Sequence, residues 1–340
     1  MAQNQEYKTG DVFLFESDGS CVSDLICLLS DSDVSHSGIY FENDELLEEH
    51  FEGLSKRKVT DAIKGRKVHY MQYVRRDQCA GQLLAAARKH LESKDAYSMG
   101  VLLTLGVLIT CKRFSGSSRF VRALLLLICK GLSWLIDEVT HHGKKAMVCS
   151  QFVCVCYDEA GFTLQVPHPF VSSKKARAAL LAGGREPVSL LELAREDLRQ
   201  RDPEAILAGI AELKAAHAGQ RLFSQEGFKD EFTKICCKLR DALVNKKGSG
   251  KALETVDDLD EEDRAELMRL VHLFASLTVE ISGYRPKEAG ALSGAGGEAR
   301  RNALTANLNI LDDIVADYIT PGDLHKGCPE LIERDLPGTK

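Results

Sequence analysis

Short runs of β-branched and aromatic residues, separated by Asp, Asn, Gly and Ser, occupy the first 75 residues of the chain. Such runs are typical of β-strands joined by turns. We predict four strands, at residues 11–15, 35–41, 46–51 and 67–75. From Asp77 the apolar positions recur with helical spacing, so Asp77 is predicted to cap a helix that continues to Leu91.

A basic and apolar segment follows at residues 96–136. It contains no acidic residue, and its five charged residues are all lysine or arginine. The pattern predicts two apolar helices, separated near residues 115–118. Either they form a helical hairpin buried in the protein, or they form a membrane-contacting surface that meets anionic lipid or an acyl chain. Neither apolar run reaches the roughly 18 residues that a membrane-spanning helix needs.

Helical periodicity dominates the rest of the chain. Residues 147–160 are predicted to form one helix, with Gly161 in the position that ends it. After residue 184 the composition changes, and five further helices are predicted at residues 188–201, 203–217, 227–245, 257–282 and 299–318.

The predicted fold class is α+β. Residues 1–185 are expected to form an antiparallel sheet packed on helices, with the apolar helical insertion at residues 96–136. Residues 186–340 are expected to form an all-helical domain, whose role and protein partner the sequence does not identify.

Composition limits the classes of function. The length of 340 residues and the 44% hydrophobic content fit a soluble globular protein of two domains. A net charge of -6 argues against a nucleic-acid-binding protein. The eleven cysteines show no C-x-x-C spacing, and the N-terminus lacks a secretory signal pattern. We therefore expect reduced thiols and a cytoplasmic location, with signal-independent secretion left open.

No cofactor and no metal site is predicted. The acidic run at residues 257–263 lacks the central glycine of an EF-hand loop, and helix capping explains acidic residues there. No spacing of a closed zinc site occurs in the one dense cluster of histidines and cysteines, which is His141, His142, Cys149, Cys154 and Cys156.

His36 begins the second predicted strand, and residues 46–51 form the strand that should pair with it. Side chains alternate between the two faces of a strand. If the turn holds residues 43–45, Tyr40 faces Glu48, Gly38 faces His50, and one face carries His36, Gly38, Tyr40, Glu48 and His50. If the turn holds two or four residues, Glu49 takes that side instead. Gly38 leaves room beside His36 for a polar neighbour.

Cys149 lies in the first turn of the helix predicted at residues 147–160. The unpaired amides and the positive end of a helix stabilise a thiolate and lower its pKa from about 8.5. A nearby imidazolium would lower that pKa further, and a third residue would orient the imidazole. The amides of the same turn can stabilise an oxyanion. Cys149 and His36 are therefore candidates for a nucleophile and its general base.

Several short motifs support this chemistry: Gly-Asp-Val-Phe-Leu-Phe at 10–15, Ser-His-Ser-Gly-Ile-Tyr at 35–40, Leu-Leu-Glu-Glu at 46–49, Tyr97, Cys-Ser-Gln-Phe-Val at 149–153, Tyr157 and Ala-Gly at 160–161. In this order they resemble the circularly permuted papain-like cysteine hydrolases, which include the YiiX-like proteins and are related to lecithin retinol acyltransferase and the NlpC-type peptidases. The resemblance covers roughly residues 8–180. The chain departs from the family at Ser98, where Asp is common, and at Gln151, where Glu is usual.

The resemblance implies Cys149 as nucleophile, His36 as general base and Glu48 as the residue that orients His36. In the acyltransferase branch the third residue is a histidine, so His50 is the alternative to Glu48. Tyr40 and Tyr97 are candidate substrate-binding residues.

The expected activity is that of a cysteine-dependent hydrolase or acyltransferase, which acts on an amide, ester or thioester through an acyl-enzyme. The apolar segment at residues 96–136 favours a lipid or another acylated small molecule as substrate. A cysteine peptidase or amidase that acts on peptide or peptidoglycan is the second hypothesis. A catalytically inactive module that binds a membrane or a protein partner is the third.

Overall fold

The computed structural model of this protein describes residues 6–50, 53–93, 99–111, 118–142, 148–166, 189–200, 202–218, 225–249, 259–281, 296–316 and 318–337. The chain forms two compact units. The first consists of Met1–Thr104, Lys144–Pro169 and Tyr318–Lys340. The second consists of Leu105–Gly143 and Phe170–Asp317. The division therefore differs from a single break near residue 185, because each unit is assembled from separate stretches of chain.

A six-stranded antiparallel sheet organises the first unit. Its strand order is β4-β3-β2-β1-β5-β6. The strands are β1 (Val12–Glu16), β2 (Val34–Tyr40), β3 (Glu45–His50), β4 (Gly53–Lys58), β5 (Val68–Tyr73) and β6 (Leu331–Arg334). The four strands predicted from the sequence are confirmed to within about two residues at each end, which is the usual uncertainty of such boundaries.

Twelve helices accompany the sheet in the described part of the chain. They are α1 (Cys21–Ser30), α2 (Val59–Ile63), α3 (Arg76–Ser93), α4 (Met99–Cys111), α5 (Ser118–His142), α6 (Cys149–Glu159), α7 (Leu190–Gln200), α8 (Pro203–Ala218), α9 (Gln225–Ser249), α10 (Glu261–Ile281), α11 (Gly297–Ala316) and α12 (Pro321–Gly327). All the predicted helices are present, and the mixed α+β class is confirmed.

The C-terminal residues correct the prediction of an all-helical domain after residue 186. Residues 331–334 form strand β6, which pairs with β5 at the edge of the sheet. This strand has four residues and only one of them, Leu331, is buried. So short a run carries no alternation that periodicity could detect.

Strand β1 is an inner strand of the sheet, and both of its faces are covered. Residues 12–15 are fully buried. Val12 and Leu14 join one apolar cluster with Phe152 and Tyr157 of α6. Phe13 and Phe15 join another, together with Leu46, Val59, Ala62 and Tyr70. A strand buried on two faces has a continuous apolar run instead of alternation, which explains the sequence Val-Phe-Leu-Phe.

Polar contacts fix α6 within the first unit. The Tyr157 hydroxyl donates to the Gly10 carbonyl at 2.6 Å, and both groups are buried. Gly10 has φ +98°, and a Cβ there would collide with Leu83, so this position needs glycine. The Ser150 hydroxyl in the first turn of α6 donates to the Ile319 carbonyl. The start of α6 is therefore held by residues far away in sequence.

The apolar helices expected at residues 96–136 pack inside their own unit from Leu105 onward. Leu105, Leu108, Leu124 and Ile128 are fully buried in the second unit. Phe274 of α10 occupies the space where a Cβ at Gly106 would lie. Of the two interpretations, burial inside the protein fits these residues. Within the described residues, no helix combines the length and apolar character needed to cross a membrane.

Nine of the eleven cysteines are free thiols. Cys21 and Cys237 are not. The expectation of reduced thiols therefore holds for nine cysteines and is wrong for these two.

The Tyr157 hydrogen bond gives a test of how α6 is held. We expect Tyr157→Phe to lower the free energy of unfolding by about 1–3 kcal/mol, because the buried Gly10 carbonyl loses its donor. Urea unfolding measures this change. Tyr40→Phe is the matched control, since the Tyr40 hydroxyl contacts the exposed amide of Asp44. An equal effect of both substitutions would contradict the assigned role of Tyr157.

Candidate active site

The turn between β2 and β3 decides which side chains of the two strands meet. Asn43 and Asp44 have left-handed φ angles of 51° and 62°. The Phe41 amide donates to the Glu45 carbonyl at 2.8 Å, so the loop consists of residues 42–44. The prediction placed a three-residue loop at 43–45, one residue too late. Asn and Asp tolerate the left-handed region better than most residues, which explains the observed position.

The shifted loop changes which residues of β2 and β3 lie opposite each other, but each side chain stays on its predicted face of the sheet. Glu48 lies opposite Gly38, and Leu46 lies opposite Tyr40. The predicted pairs of Tyr40 with Glu48 and of Gly38 with His50 are therefore wrong. Because the loop still has an odd number of residues, Glu48 stays on the face that His36 and Gly38 share.

Glu48 reaches His36 across the position of Gly38. The His36 Nε2 atom and the Glu48 Oε1 atom lie 3.4 Å apart, and the Glu48 side chain is fully buried. A Cβ at Gly38 would lie 3.0 Å from Glu48 Cγ and 3.1 Å from the Leu47 carbonyl. Glycine therefore leaves the space that the carboxylate needs. The second oxygen, Oε2, lies 3.8 Å from Arg57 Nη1, which gives the carboxylate a cation on its other side.

Cys149 is the first residue of α6, and Val148 occupies the N-cap position without a side-chain capping bond. The amides of this first turn have no intrahelical acceptors, so they are available to stabilise negative charge. Residue Cys149 is partly exposed. A thiol placed at this helix start is electrostatically favoured as a thiolate.

Electrostatics couples Cys149 to His36. Burial alone would raise the pKa of the thiol, but the charge of His36 and hydrogen bonds from His36 and Ser37 lower it below 9.0. Burial alone would lower the pKa of His36, but Cys149 and Glu48 raise it to about 9. The two shifts have one cause, which is a thiolate beside an imidazolium. The structure thus brings Cys149, His36 and Glu48 together in one site.

The pKa values of the other free thiols shift in the opposite direction. Burial raises the pKa of each of the remaining eight free cysteines, which are Cys27, Cys79, Cys111, Cys129, Cys154, Cys156, Cys236 and Cys328. Among the described free cysteines, Cys149 alone has a lowered pKa. Cys149 is therefore the thiol with nucleophilic character.

Two further residues near the thiol were missed by sequence reasoning. Burial and the charge of Cys149 raise the pKa of Glu49 well above 4.5, and neither carboxyl oxygen has a hydrogen-bond partner within the described part of the chain. Burial also raises the pKa of Tyr318, whose hydroxyl donates to Thr104 at 2.5 Å. The sequence places Glu49 on the His36 side only if the turn holds two or four residues. No sequence signal connects Tyr318 with this site.

The remaining predicted site residues are Tyr40, Tyr97 and His50. The Tyr40 hydroxyl accepts from the Asp44 amide at 3.1 Å, and its ring lies 5.6 Å from that of Tyr7. Tyr40 therefore stabilises the hairpin turn. Tyr97 lies outside the described residues, and so does the side chain of His50.

Thiol alkylation at different pH values tests the charge pair without a substrate. We expect Cys149 to react with iodoacetamide at mildly acidic pH, where a thiol of ordinary pKa is protonated. In His36→Ala the pKa of Cys149 rises, so the rate at that pH falls by about tenfold or more. Mass spectrometry of digested protein gives the rate for each cysteine. Cys27, whose pKa is raised to about 11, serves as the internal control. An unchanged Cys149 rate in His36→Ala would refute the coupling.

Gly38→Ala tests the route by which Glu48 reaches His36. The added Cβ displaces Glu48, which removes its stabilisation of the His36 imidazolium and raises the pKa of Cys149. We expect the same alkylation rate to fall by about threefold to tenfold. Gly81→Ala is the control, because a Cβ at Gly81 meets nothing within 4 Å. Equal rates in Gly38→Ala and the wild-type protein would show that Glu48 does not act on His36.

Comparisons with protein families, with curated proteins and with solved structures found no match to this chain. Assignment of the site therefore rests on its own geometry. The decisive features are a cysteine of lowered pKa at a helix start, an imidazole of raised pKa beside it, and a buried carboxylate beside that imidazole.

Proposed function

We propose that this protein is a cysteine-dependent hydrolase or acyltransferase that acts on an amide, ester or thioester carbonyl. Cys149 is the nucleophile, His36 is the general base and acid, and Glu48 orients His36. The observation that carries the proposal is the opposite pKa shift of Cys149 and His36. A buried structural cysteine shows a raised pKa instead.

Cys149 and His36 can carry out both steps of an acyl transfer, which are formation and breakdown of the acyl-enzyme. The thiolate attacks the carbonyl carbon, and the amides at the start of α6 stabilise the oxyanion. When the intermediate collapses, the bond to the leaving group breaks and the His36 imidazolium gives that group its proton. This step leaves a thioester on Cys149 and a neutral imidazole. His36 then removes a proton from water or from an acceptor, which attacks the thioester and restores the thiolate.

Glu48 has a defined part in this cycle. Its Oε1 atom faces the Nε2 atom of His36 at 3.4 Å, so it favours one ring orientation and stabilises the imidazolium. Its full burial prevents water from replacing it. Arg57 lies beside the second oxygen and keeps negative charge at this position favourable.

The motif resemblance to the permuted papain-like hydrolases supports the same roles for Cys149, His36 and Glu48. The preference for a lipid substrate rested on the apolar segment at residues 96–136. From Leu105 onward, most described side chains of that segment are buried in their own unit, so burial explains their apolar character without an acyl-binding surface. A lipid or acylated small molecule and a peptide or peptidoglycan fragment therefore both stay as substrate classes.

An inactive binding module is the alternative function. Moving charges out of water is unfavourable, even when the charges are paired. A module without catalytic chemistry would therefore gain nothing from a thiolate beside an imidazolium. The lowered pKa of Cys149 thus favours the enzyme.

A trapped acyl-enzyme is the direct test. We expect incubation with phospholipid or with peptidoglycan fragments to give one acyl adduct on Cys149, detected by intact mass and located by peptide mapping. Cys149→Ala and His36→Ala should each lower turnover by about a thousandfold or more while the far-UV circular dichroism is unchanged.

Cys27→Ala is the matched control, since Cys27 is a free thiol with a raised pKa. It should keep both the adduct and the turnover. Turnover by pure Cys149→Ala protein would refute the assignment. An adduct from only one of the two substrate classes would identify that class as the substrate.

A further inference from the structure

A second cluster of chemically active side chains lies in the first unit, apart from the thiol. Asp33 precedes strand β2, His69 lies in β5 and His325 lies in the short helix α12. One ligand atom from each residue can be chosen so that all three lie within 4.8 Å of one another. Histidine nitrogens and a carboxylate oxygen are ligands that divalent transition metals prefer.

Glu333 in strand β6 orients both histidines. Its Oε1 atom lies 2.7 Å from His69 Nδ1, and its Oε2 atom lies 3.7 Å from His325 Nε2. A carboxylate on one nitrogen fixes the proton there and leaves the other nitrogen as a lone-pair donor. The short contact with Glu333 holds the His69 ring through Nδ1 and leaves Nε2 available as a metal ligand.

Two ring nitrogens of the cluster lack hydrogen-bond partners in the described part of the chain. His69 Nε2 and His325 Nδ1 are both buried, and neither has a hydrogen bond within the described residues. The two ring centroids are 4.0 Å apart. One nitrogen of each ring lies within 4.8 Å of the other, so the two rings can share one ion.

Oxygen atoms approach the same nitrogens. Asp33 Oδ1 lies 3.8 Å from His325 Nδ1, and Glu16 Oε1 lies 3.4 Å from His69 Nε2. Carboxylate oxygens beside ring nitrogens form a site that attracts a cation. Zinc accepts this mixture of nitrogen and oxygen ligands, with bonds of about 2.0–2.2 Å.

We propose that this cluster binds one divalent transition-metal ion, with zinc as the type case. His69, His325 and Asp33 are the ligands, and Glu333 is a positioning residue. Asp33 is 55% exposed, so its side chain can move to close the coordination sphere. The sequence concealed this site because its three ligands are up to 292 residues apart.

The ion would have a structural role. Residues 318–340 reach the sheet through β6 and α12, and the ion would tie them to β5 and to the residue that precedes β2. Strand β2 carries His36 only three residues after Asp33. A metal here would therefore hold the strand that positions the general base without contacting the substrate.

The test uses the full-length protein after chelator treatment and dialysis. We expect titration with Zn²⁺, against a chromophoric chelator, to show one saturable site per chain. Addition of Co²⁺ should give d–d bands without a thiolate-to-cobalt charge-transfer band, because the ligands are nitrogen and oxygen. The midpoint of thermal unfolding should rise with Zn²⁺ concentration. Cys149→Ala should bind equally well, so the result is independent of the proposed function.

Substitutions locate the site. His69→Asn and His325→Asn should each weaken Zn²⁺ binding by at least about tenfold, and Glu333→Gln by about tenfold to a hundredfold. Asp33→Asn, at an exposed position that tolerates the change, should weaken it as well. Glu42→Gln is the control, since Glu42 pairs with Arg88 elsewhere in the same unit, and its binding should equal that of the wild type. Absence of saturable binding, a thiolate band, or equal affinity in all the variants would overturn the proposal.

Discussion

The attraction between the Cys149 thiolate and the His36 imidazolium is the interaction on which the proposed chemistry depends. Neither charged group would be favoured alone, because burial raises the pKa of a thiol and lowers that of an imidazole. Together they reverse both shifts. The eight other free cysteines show what burial does without such a partner, since the pKa of each one is raised.

The fold supports this charge pair through ordinary packing. Strand β1 is buried on both faces and fixes its neighbour β2, which carries His36. Helix α6 packs Phe152 and Tyr157 into the cluster on one face of the sheet, and the hydroxyls of Ser150 and Tyr157 hold it at two points. Burial of apolar side chains thus brings the start of α6 close to β2. The dipole of α6 and the charges of the site then act over a short distance.

The sequence predicted the elements of the site well because their signals are local. Alternation located β2 and β3, and an odd loop length placed Glu48 on the face of His36 even though the loop begins one residue earlier than expected. Gly38 leaves the space that the Glu48 side chain occupies. The sequence indicates this space, because glycine places no side chain beside His36.

Features that depend on distant pairing were not predictable in this way. Strand β6 has no pattern of its own and exists because β5 offers an open edge. The cluster of Asp33, His69 and His325 forms only when that strand and α12 reach the sheet. Glu49 lies beside the thiol through tertiary packing, and nothing in the sequence around it indicates a raised pKa.

The titration of His36, followed by NMR of its imidazole ring, tests the central claim most directly. We expect a His36 pKa of about 9 in the wild-type protein. In Cys149→Ala the thiolate is gone and only Glu48 opposes the effect of burial, so the pKa of His36 should fall clearly below the wild-type value. A His36 pKa near the ordinary value of about 6.5 in both proteins would contradict the account.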